Sequence, residues 1–182
     1  EIYPGEGYEL DAVVDGIRAM NLDSLASARA VREPIALNEN VRSAYDSITY
    51  NKGLAVIGMV DAYFGADVFR PALGRYVEAY EDGVAASPEF LEISGRETGG
   101  PNLTAAFRSL VEQNGLPLLT VSDGGPNEVT IAQSRYTPLG SKLEDDRRWT
   151  IPVCILNGTY ETQERYCTLS AEKAFQIGGL AF

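Results

Sequence analysis

Two tyrosines five residues apart, Tyr45 and Tyr50, are the residues of this sequence whose type and position best suit chemistry. Tyr50 follows an irregular stretch and stands just before the apolar run that begins Asn51-Lys52-Gly53. A tyrosine at a helix start can direct its hydroxyl into a cleft as a neutral hydrogen-bond donor. Most tyrosines are packing residues, however, so type and position alone leave both interpretations open for each of the two.

Most other catalytic constellations are excluded because the sequence contains no histidine. Ser-His-Asp and Cys-His sites and the HExxH zinc motif all require it. There is no Walker loop and no GxGxxG motif. The acidic cluster Glu144-Asp145-Asp146 lacks the glycine and the spacing of an EF-hand, so we expect a solvated loop there.

The two cysteines, Cys154 and Cys167, are too few for a structural zinc site without histidine. They flank the turn dipeptide Asn157-Gly158 in a predicted strand–loop–strand segment. Facing positions on paired strands place Cβ atoms within disulfide reach, and the alternative is two buried free thiols. A disulfide here would favour an exported or periplasmic protein over a cytoplasmic one.

Charge and length limit the classes of partner. The 182 residues carry a net charge of -11, which argues against nucleic acid and anionic membranes, because both attract a basic surface. No run approaches the roughly 18 apolar residues of a membrane span. The sequence starts at Glu1 without a methionine or signal peptide and stops on apolar residues, which predicts a trimmed or processed chain.

Apolar periodicity predicts helices over the first two-thirds of the chain. A helix begins at Tyr8, and Lys52 to Phe64 is apolar on almost every face, which predicts a helix buried on all sides. Gly65 should end that helix and Asp67 should cap the next one. The inner stripes are predicted to be Leu10, Val13, Val14, Ile17 and Met20 in the first helix, and Phe69, Leu73, Tyr76, Val77 and Tyr80 in the third.

The remaining helical signals are shorter. Residues 24–43 are predicted to be extended and irregular, because Pro34 forbids a regular helix there. A short helix is expected over residues 89–94 and a loop over residues 96–101. A clear helix capped by Asn102 should follow and end at Gly115.

After Pro117 the signals are those of β-structure. Strands are predicted over residues 118–121, 128–136, 149–156 and 160–169, with a turn at residues 123–127. The sequence therefore predicts an α+β fold. We place a boundary near residue 116, with a helical unit over residues 1–116 and an antiparallel β unit over residues 117–182.

Several segments, in order, resemble the aminopeptidase N family of zinc metallopeptidases. The resemblance covers residues 10 to about 122, and Leu110 departs from it because relatives often carry tryptophan there. The segments that carry it are Asp23-Ser24-Leu25-Ala26-Ser27-Ala28-Arg29-Ala30-Val31, Pro34, Tyr45, Tyr50-Asn51-Lys52-Gly53, Tyr63-Phe64-Gly65-Ala66-Asp67-Val68-Phe69, Phe107, Gln113-Asn114-Gly115-Leu116-Pro117 and Thr120-Val121.

The resemblance implies the helical C-terminal part of a thermolysin-like catalytic domain, followed by a β-sandwich domain to which Trp149-Thr150-Ile151-Pro152-Val153 is suited. In this family zinc is held by the two histidines of HExxH and a downstream glutamate, and a separate motif grips the substrate's amino terminus. All of these would precede this chain, so it would bind no zinc itself. Tyr50 matches the family's transition-state residue, and Tyr45 matches a residue lining the pocket for the substrate's first side chain.

Three hypotheses follow. The chain is part of a zinc aminopeptidase that acts on peptide substrates, inactive without the N-terminal half of its catalytic domain. Alternatively, it is a non-catalytic binding or assembly module with the same fold, or part of a related glycyl-type zinc peptidase. An HExxH motif upstream in the parent gene, with a glutamate about two dozen residues further on, would distinguish the first hypothesis from the second.

Overall fold

The computed structural model of the chain describes residues 8–98, 101–143, 145–159 and 162–180. It has an α+β fold, as predicted, and its helices all precede its strands. The helices are α1 (Tyr8–Asp23), a 3-10 helix (Asn38–Ala44), a π-helix (Ile48–Lys52), α2 (Gly53–Phe64), α3 (Ala66–Ala79), α4 (Ser87–Thr98) and α5 (Pro101–Val111). The strands are β1 (Pro117–Gly125), β2 (Glu128–Arg135), β3 (Ile151–Gly158), β4 (Gln163–Ser170) and β5 (Ala174–Gly178).

The strands form two antiparallel sheets. The three-stranded sheet has the order β1-β2-β5, and β3 pairs with β4 in a separate hairpin. Side chains of both sheets meet in one small core around Ile131, Ile177 and Leu180, against which Val153 and Tyr166 pack. This face-to-face packing is the arrangement of a β-sandwich.

A larger core joins the helices to the β-hairpin. Its buried members are Val56, Val60, Phe69, Leu91, Phe107, Leu110, Val111, Trp149 and Ile151. Trp149 is fully buried, and its backbone exchanges hydrogen bonds with the Gln133 side chain, 3.0 Å in each direction. Because this core crosses residue 116, the two predicted units pack together, and the boundary itself stays a prediction.

Burial of the first two helices differs from the prediction. In α1 the predicted inner residues Leu10, Val13 and Ile17 are exposed. In α2 only Val56 and Val60 are buried, whereas Leu54 is 52% exposed, so the helix is not buried on all sides. The apolar residues on which both predictions rest lie in helices, but nothing in the described part of the chain covers these faces.

The predicted cap of α3 and its predicted buried stripe differ from the structure. Gly65 ends α2 with a φ of 85°, as predicted, but it also precedes α3 directly, so Asp67 lies in the first turn and makes no cap. In α3 the buried positions are Phe69 and Ala72, while Leu73 and Val77 are exposed. Among the described elements α3 packs mainly against α4 and α2, so the side it buries is the one that faces them.

Several boundaries also differ. α4 continues to Thr98 through part of the predicted loop, and α5 begins at Pro101, so Asn102 lies inside its first turn. Strand β1 runs through the predicted turn to Gly125, and the reversal is the two-residue Pro126-Asn127. β5 was not predicted. The predicted strand 160–169 begins partly outside the described residues; its observed start is Gln163.

Candidate functional site

Tyr50 lies in the π-helix Ile48–Lys52, which runs directly into α2. The first and last residues of this turn are buried, Ile48 at 5% and Lys52 at 7% exposure, whereas Tyr50 between them is 59% exposed. Single π-helical turns are frequent at functional sites because the wider turn changes the direction of its side chains. The turn thus presents one tyrosine outward while both of its ends are fixed in the protein.

The Lys52 ammonium is held by three oxygens at the end of this turn. Its Nζ lies 2.8 Å from Asp23 Oδ2 and donates to the carbonyl oxygens of Gln113, at 3.0 Å, and Gly115, at 3.1 Å. Burial lowers the pKa of Lys52, and the Asp23 carboxylate opposes that shift. Three donors meeting three acceptors satisfy the charge that burial would otherwise penalise.

Gly115 closes this arrangement from the other side. Its backbone N–H donates to Asp23 Oδ1 at 2.8 Å, so the carboxylate binds both the lysine and the chain segment that holds it. The φ of Gly115 is +84°, and a Cβ atom there would lie 2.8 Å from Arg135 Nε. The left-handed φ therefore favours glycine at this position, and any side chain there would have to displace the Arg135 guanidinium.

Asp46, four residues before Tyr50, forms a second ion pair next to the turn. Its Oδ1 lies 2.6 Å from Arg29 Nη2. Burial alone would raise the pKa of Asp46, but hydrogen bonds from the Thr49 backbone N–H and from Arg29 lower it below its ordinary value. Asp46 is therefore ionised at neutral pH and remains a strong acceptor.

Tyr45, the second predicted site residue, follows the 3-10 helix and is 68% exposed. A cavity of about 440 Å³ lies nearby and includes Ala44 and Thr49, the residues immediately before Tyr45 and Tyr50. Neither tyrosine lines this cavity. The role of Tyr45 in a substrate pocket therefore stays a prediction.

An apolar cavity of about 300 Å³ lies beside the Lys52–Asp23 pair. It is bounded by α1, α2 and the start of the β-structure. Besides Asp23 and Lys52, its lining includes Met20, Val56 and Pro152. The ion pair thus stands at the wall of an apolar space, where its attraction is stronger than in water.

The acidic cluster was expected to be a solvated loop, and this prediction is wrong for Asp145, whose side chain is only 13% exposed. Its carboxylate lies 2.6 Å from Arg135 Nη1 and 3.0 Å from Arg147 Nη2. Arg147 also donates to the carbonyl oxygen of Asn114 at 3.0 Å, and Asn114 donates to Ala28. The loop after β2 is therefore tied to the segment that holds Lys52, and Glu144 lies outside the described residues.

The sequence identifies Tyr50 as a candidate but assigns no role to the residues that hold its turn. Asp23, Arg29 and Lys52 all stand in segments that carry the family resemblance, and Asp46 lies between the two tyrosines. A lysine leading an apolar helix is a signal, because a buried lysine needs a carboxylate. Which carboxylate it meets depends on contacts between residues far apart in the sequence.

The cysteines form a disulfide in the structure. Cys154 on β3 and Cys167 on β4 are directly opposite in the strand register, with a Cα–Cα distance of 4.1 Å. Arg165 donates to Cys154 Sγ at 3.2 Å and to the carbonyl oxygen of Ala62 at the end of α2. The hairpin thus carries its own covalent link and touches the helix that begins after Tyr50.

Comparison with known proteins decides the family. Residues 6–110 match the peptidase family M1 domain. The chain belongs to peptidase family M1. This finding confirms the resemblance to the aminopeptidase N family that the segments around Asp23, Tyr50 and Gly115 predicted.

Relatives of this M1 chain are aminopeptidases by name. It is 31% identical over 139 residues to "Probable M1 family aminopeptidase 1" of Encephalitozoon cuniculi, a match covering 76% of this chain and 16% of that protein. It is 28% identical to "Aminopeptidase M1-A" of Oryza sativa subsp. japonica, over 87% of this chain and 18% of that protein. It is 24% identical to "Alanine/arginine aminopeptidase" of Saccharomyces cerevisiae, over 89% of this chain and 20% of that protein. The chain therefore spans a fifth or less of the length of these relatives.

Enzymes of family M1 depend on zinc in general. The sequence has no histidine, and both cysteines are bonded to each other. Among the described residues no group of three or more metal-ligating side chains comes together. In the same part of the chain no helix has the length and apolarity needed to cross a membrane.

Proposed function

We propose that this chain forms one wall of the active site of a zinc aminopeptidase that removes N-terminal residues from peptides. The zinc and its ligands would come from a part of the parent protein outside this chain. The observation that carries the proposal is the π-helical turn with an exposed Tyr50 between two buried, fixed ends. Rigid mounting of an exposed polar group is what a catalytic donor needs.

In this proposal the Tyr50 hydroxyl donates a hydrogen bond to the carbonyl oxygen of the scissile peptide bond. Negative charge develops on that oxygen when a nucleophile adds to the carbonyl carbon, so the hydrogen bond strengthens in the transition state. A phenol suits the role because it is a neutral donor at neutral pH. Tyr45, five residues earlier, would contact the side chain of the substrate's first residue.

The exposed apolar faces of α1 and α2 support the proposal that this wall is covered by the other half of a catalytic domain. Leu10 and Val13 on α1 are 68% and 59% exposed, and Leu54 and Ile57 on α2 are 52% and 38% exposed. Several large apolar side chains left exposed on neighbouring helices are what an interaction site would present. Its partner in our proposal is the N-terminal half of the same domain.

The test is Tyr50→Phe in the intact parent enzyme, assayed on an amino-acid anilide. We expect kcat to fall roughly 10²–10³-fold, the effect of removing one oxyanion donor, while KM, folding and zinc content stay near normal. Tyr45→Phe should cause a smaller loss whose size depends on the first side chain of the substrate. The isolated chain should show no turnover.

A near-normal kcat in Tyr50→Phe, with folding intact, would make Tyr50 a packing residue and overturn the site assignment. The same result with an upstream sequence lacking HExxH would favour the non-catalytic module.

A further inference from the structure

Few contacts of its own hold the Tyr50 side chain in place. It is 59% exposed, and it makes no hydrogen bond to another residue that the structure describes. The position of its hydroxyl therefore depends on the backbone of the π-helical turn. Whatever holds the backbone at residues 49 and 50 sets the position of the Tyr50 Cα–Cβ bond and thereby the set of places that the phenol can reach.

Asp46 binds that backbone at both residues. Its side-chain Oδ1 accepts the backbone N–H of Thr49 at 3.0 Å, and its backbone carbonyl oxygen accepts the N–H of Tyr50 at 3.1 Å. The first of these bonds is charge-assisted, because the carboxylate is ionised at neutral pH. One residue thus connects the start of the turn to the two consecutive amides that carry the phenol.

Arg29 in turn holds Asp46. Its Nε lies 3.0 Å from Oδ2 and its Nη2 lies 2.6 Å from Oδ1, a bidentate pairing of guanidinium and carboxylate. The same Nη2 is 2.6 Å from Thr49 Oγ1, and Nη1 donates to the carbonyl oxygen of Ala30 at 2.7 Å. A planar fork of donors can make all of these bonds at once, whereas a lysine ammonium cannot.

The three side chains are therefore one unit that joins the irregular segment around Arg29 to the turn. The pair is partly exposed, with side-chain exposures of 20% for Arg29 and 41% for Asp46. Partly exposed pairs contribute little to global stability. Their geometry, by contrast, fixes the direction of the turn.

We propose that Arg29, Asp46 and Thr49 are positioning residues for Tyr50: they set the placement of its hydroxyl rather than the stability of the fold. The proposal rests on the catalytic role proposed for Tyr50. It predicts that a change in the unit lowers kcat only as long as the Tyr50 hydroxyl is present.

The experiment is a double-mutant cycle in the intact parent enzyme. Asp46→Asn keeps the shape of the side chain but removes the charge that Arg29 binds. We expect kcat to fall about tenfold with KM within about twofold, since a small misplacement of a catalytic group can cost up to about 100-fold. In the Tyr50→Phe background the same substitution should cause no further fall.

Two more variants make the result decisive. Thr49→Val is nearly isosteric and removes only the hydroxyl bound by Arg29, so it serves if Asp46→Asn folds poorly; we expect about a threefold fall in kcat on the same reasoning. Glu92→Gln breaks an exposed pair with Arg96 on α4 and is the matched control, with no expected change.

The outcomes separate the two proposals. Loss of kcat in Tyr50→Phe but not in Asp46→Asn or Thr49→Val would overturn the positioning role alone. A fall caused by Asp46→Asn of equal size with and without the Tyr50 hydroxyl would also overturn it, because the residue would then act elsewhere. If Tyr50→Phe keeps its kcat, the catalytic proposal itself is lost.

Discussion

The turn that carries Tyr50 and the β3–β4 hairpin are held by different kinds of bond. The turn ends at a buried ion pair, Lys52 with Asp23, whose side chains are 8% and 2% exposed. The hairpin is closed by the disulfide between Cys154, which is partly buried, and Cys167, which is exposed. A buried ion pair fixes geometry at the cost of desolvation, whereas a disulfide stabilises mainly by restricting the unfolded chain.

The difference follows from the surroundings of each region. Around Lys52 the chain brings together segments from α1, the π-helix and the loop after α5, so that one side chain can orient all of them. The strands of the hairpin have mostly partly buried or exposed positions, and Ile151 is the fully buried residue that they contribute to the larger core. In the hairpin, the disulfide therefore supplies stability that burial of apolar side chains does not.

The largest effect should come from removing the lysine of the buried pair. Lys52→Met in the parent protein leaves the Asp23 carboxylate buried without a counter-charge, so we expect the free energy of unfolding to fall by about 3–5 kcal/mol. Urea denaturation measures it. Asp23→Asn added to Lys52→Met should restore part of the loss, because it removes the orphan charge. As a control, Arg18→Met breaks an exposed pair on α1 and should cost about 1 kcal/mol or less.

A loss below about 1 kcal/mol in Lys52→Met would show that the pair orients the turn without stabilising it, and would break the comparison with the hairpin.

A smaller effect is expected for the disulfide. Replacing Cys154 and Cys167 together by serine should lower the free energy of unfolding by up to about 3 kcal/mol, the value for a loop of this length in the chain-entropy model. Because the disulfide joins two strands far along the sequence from the turn that carries Tyr50, kcat should change little. Thiol titration of the denatured, unreduced protein should find no free thiol; two per chain would mean that the pair is reduced.

The smallest effect concerns Asp145, which ties the β-structure to the helical segment. Burial alone would raise its pKa, but hydrogen bonds from Arg135 and from the Arg147 backbone lower it below 3.8, its ordinary value. A lowered carboxyl pKa stabilises the fold above the unfolded value of 3.8, and the stability is lost as pH falls through the folded value. Asp145→Asn should cost about 1.5 kcal/mol at neutral pH, from the charged hydrogen bonds it weakens.

The check is urea denaturation at neutral pH and at pH values below 3.8, on the wild type and Asp145→Asn. The difference between the two should shrink as pH falls. A constant difference across the range would mean that the effect of Asp145 is one of packing and not of charge.

Local sequence signals predicted the elements well where they depend on neighbouring residues. Gly65 ends α2 as predicted, and Cys154 and Cys167 face each other as strand alternation around a turn indicates. β5 was missed because its five residues, Ala174–Gly178, form a strand only by pairing with β2. The burial of α2 was overestimated for a related reason: an apolar face indicates that something covers it but does not identify what does.

The sequence by itself determined the family, the α+β class and the candidate tyrosines, because these depend on residue types, spacing and short-range periodicity. Only the tertiary structure decided what holds Tyr50. Asp23 and Lys52 pair although they are 29 residues apart in the sequence, and Gly115, which contacts both, lies 63 residues after Lys52. Arg29 and Asp46 are 17 residues apart. Such contacts form when distant segments pack, and no local propensity encodes which carboxylate will face which cation.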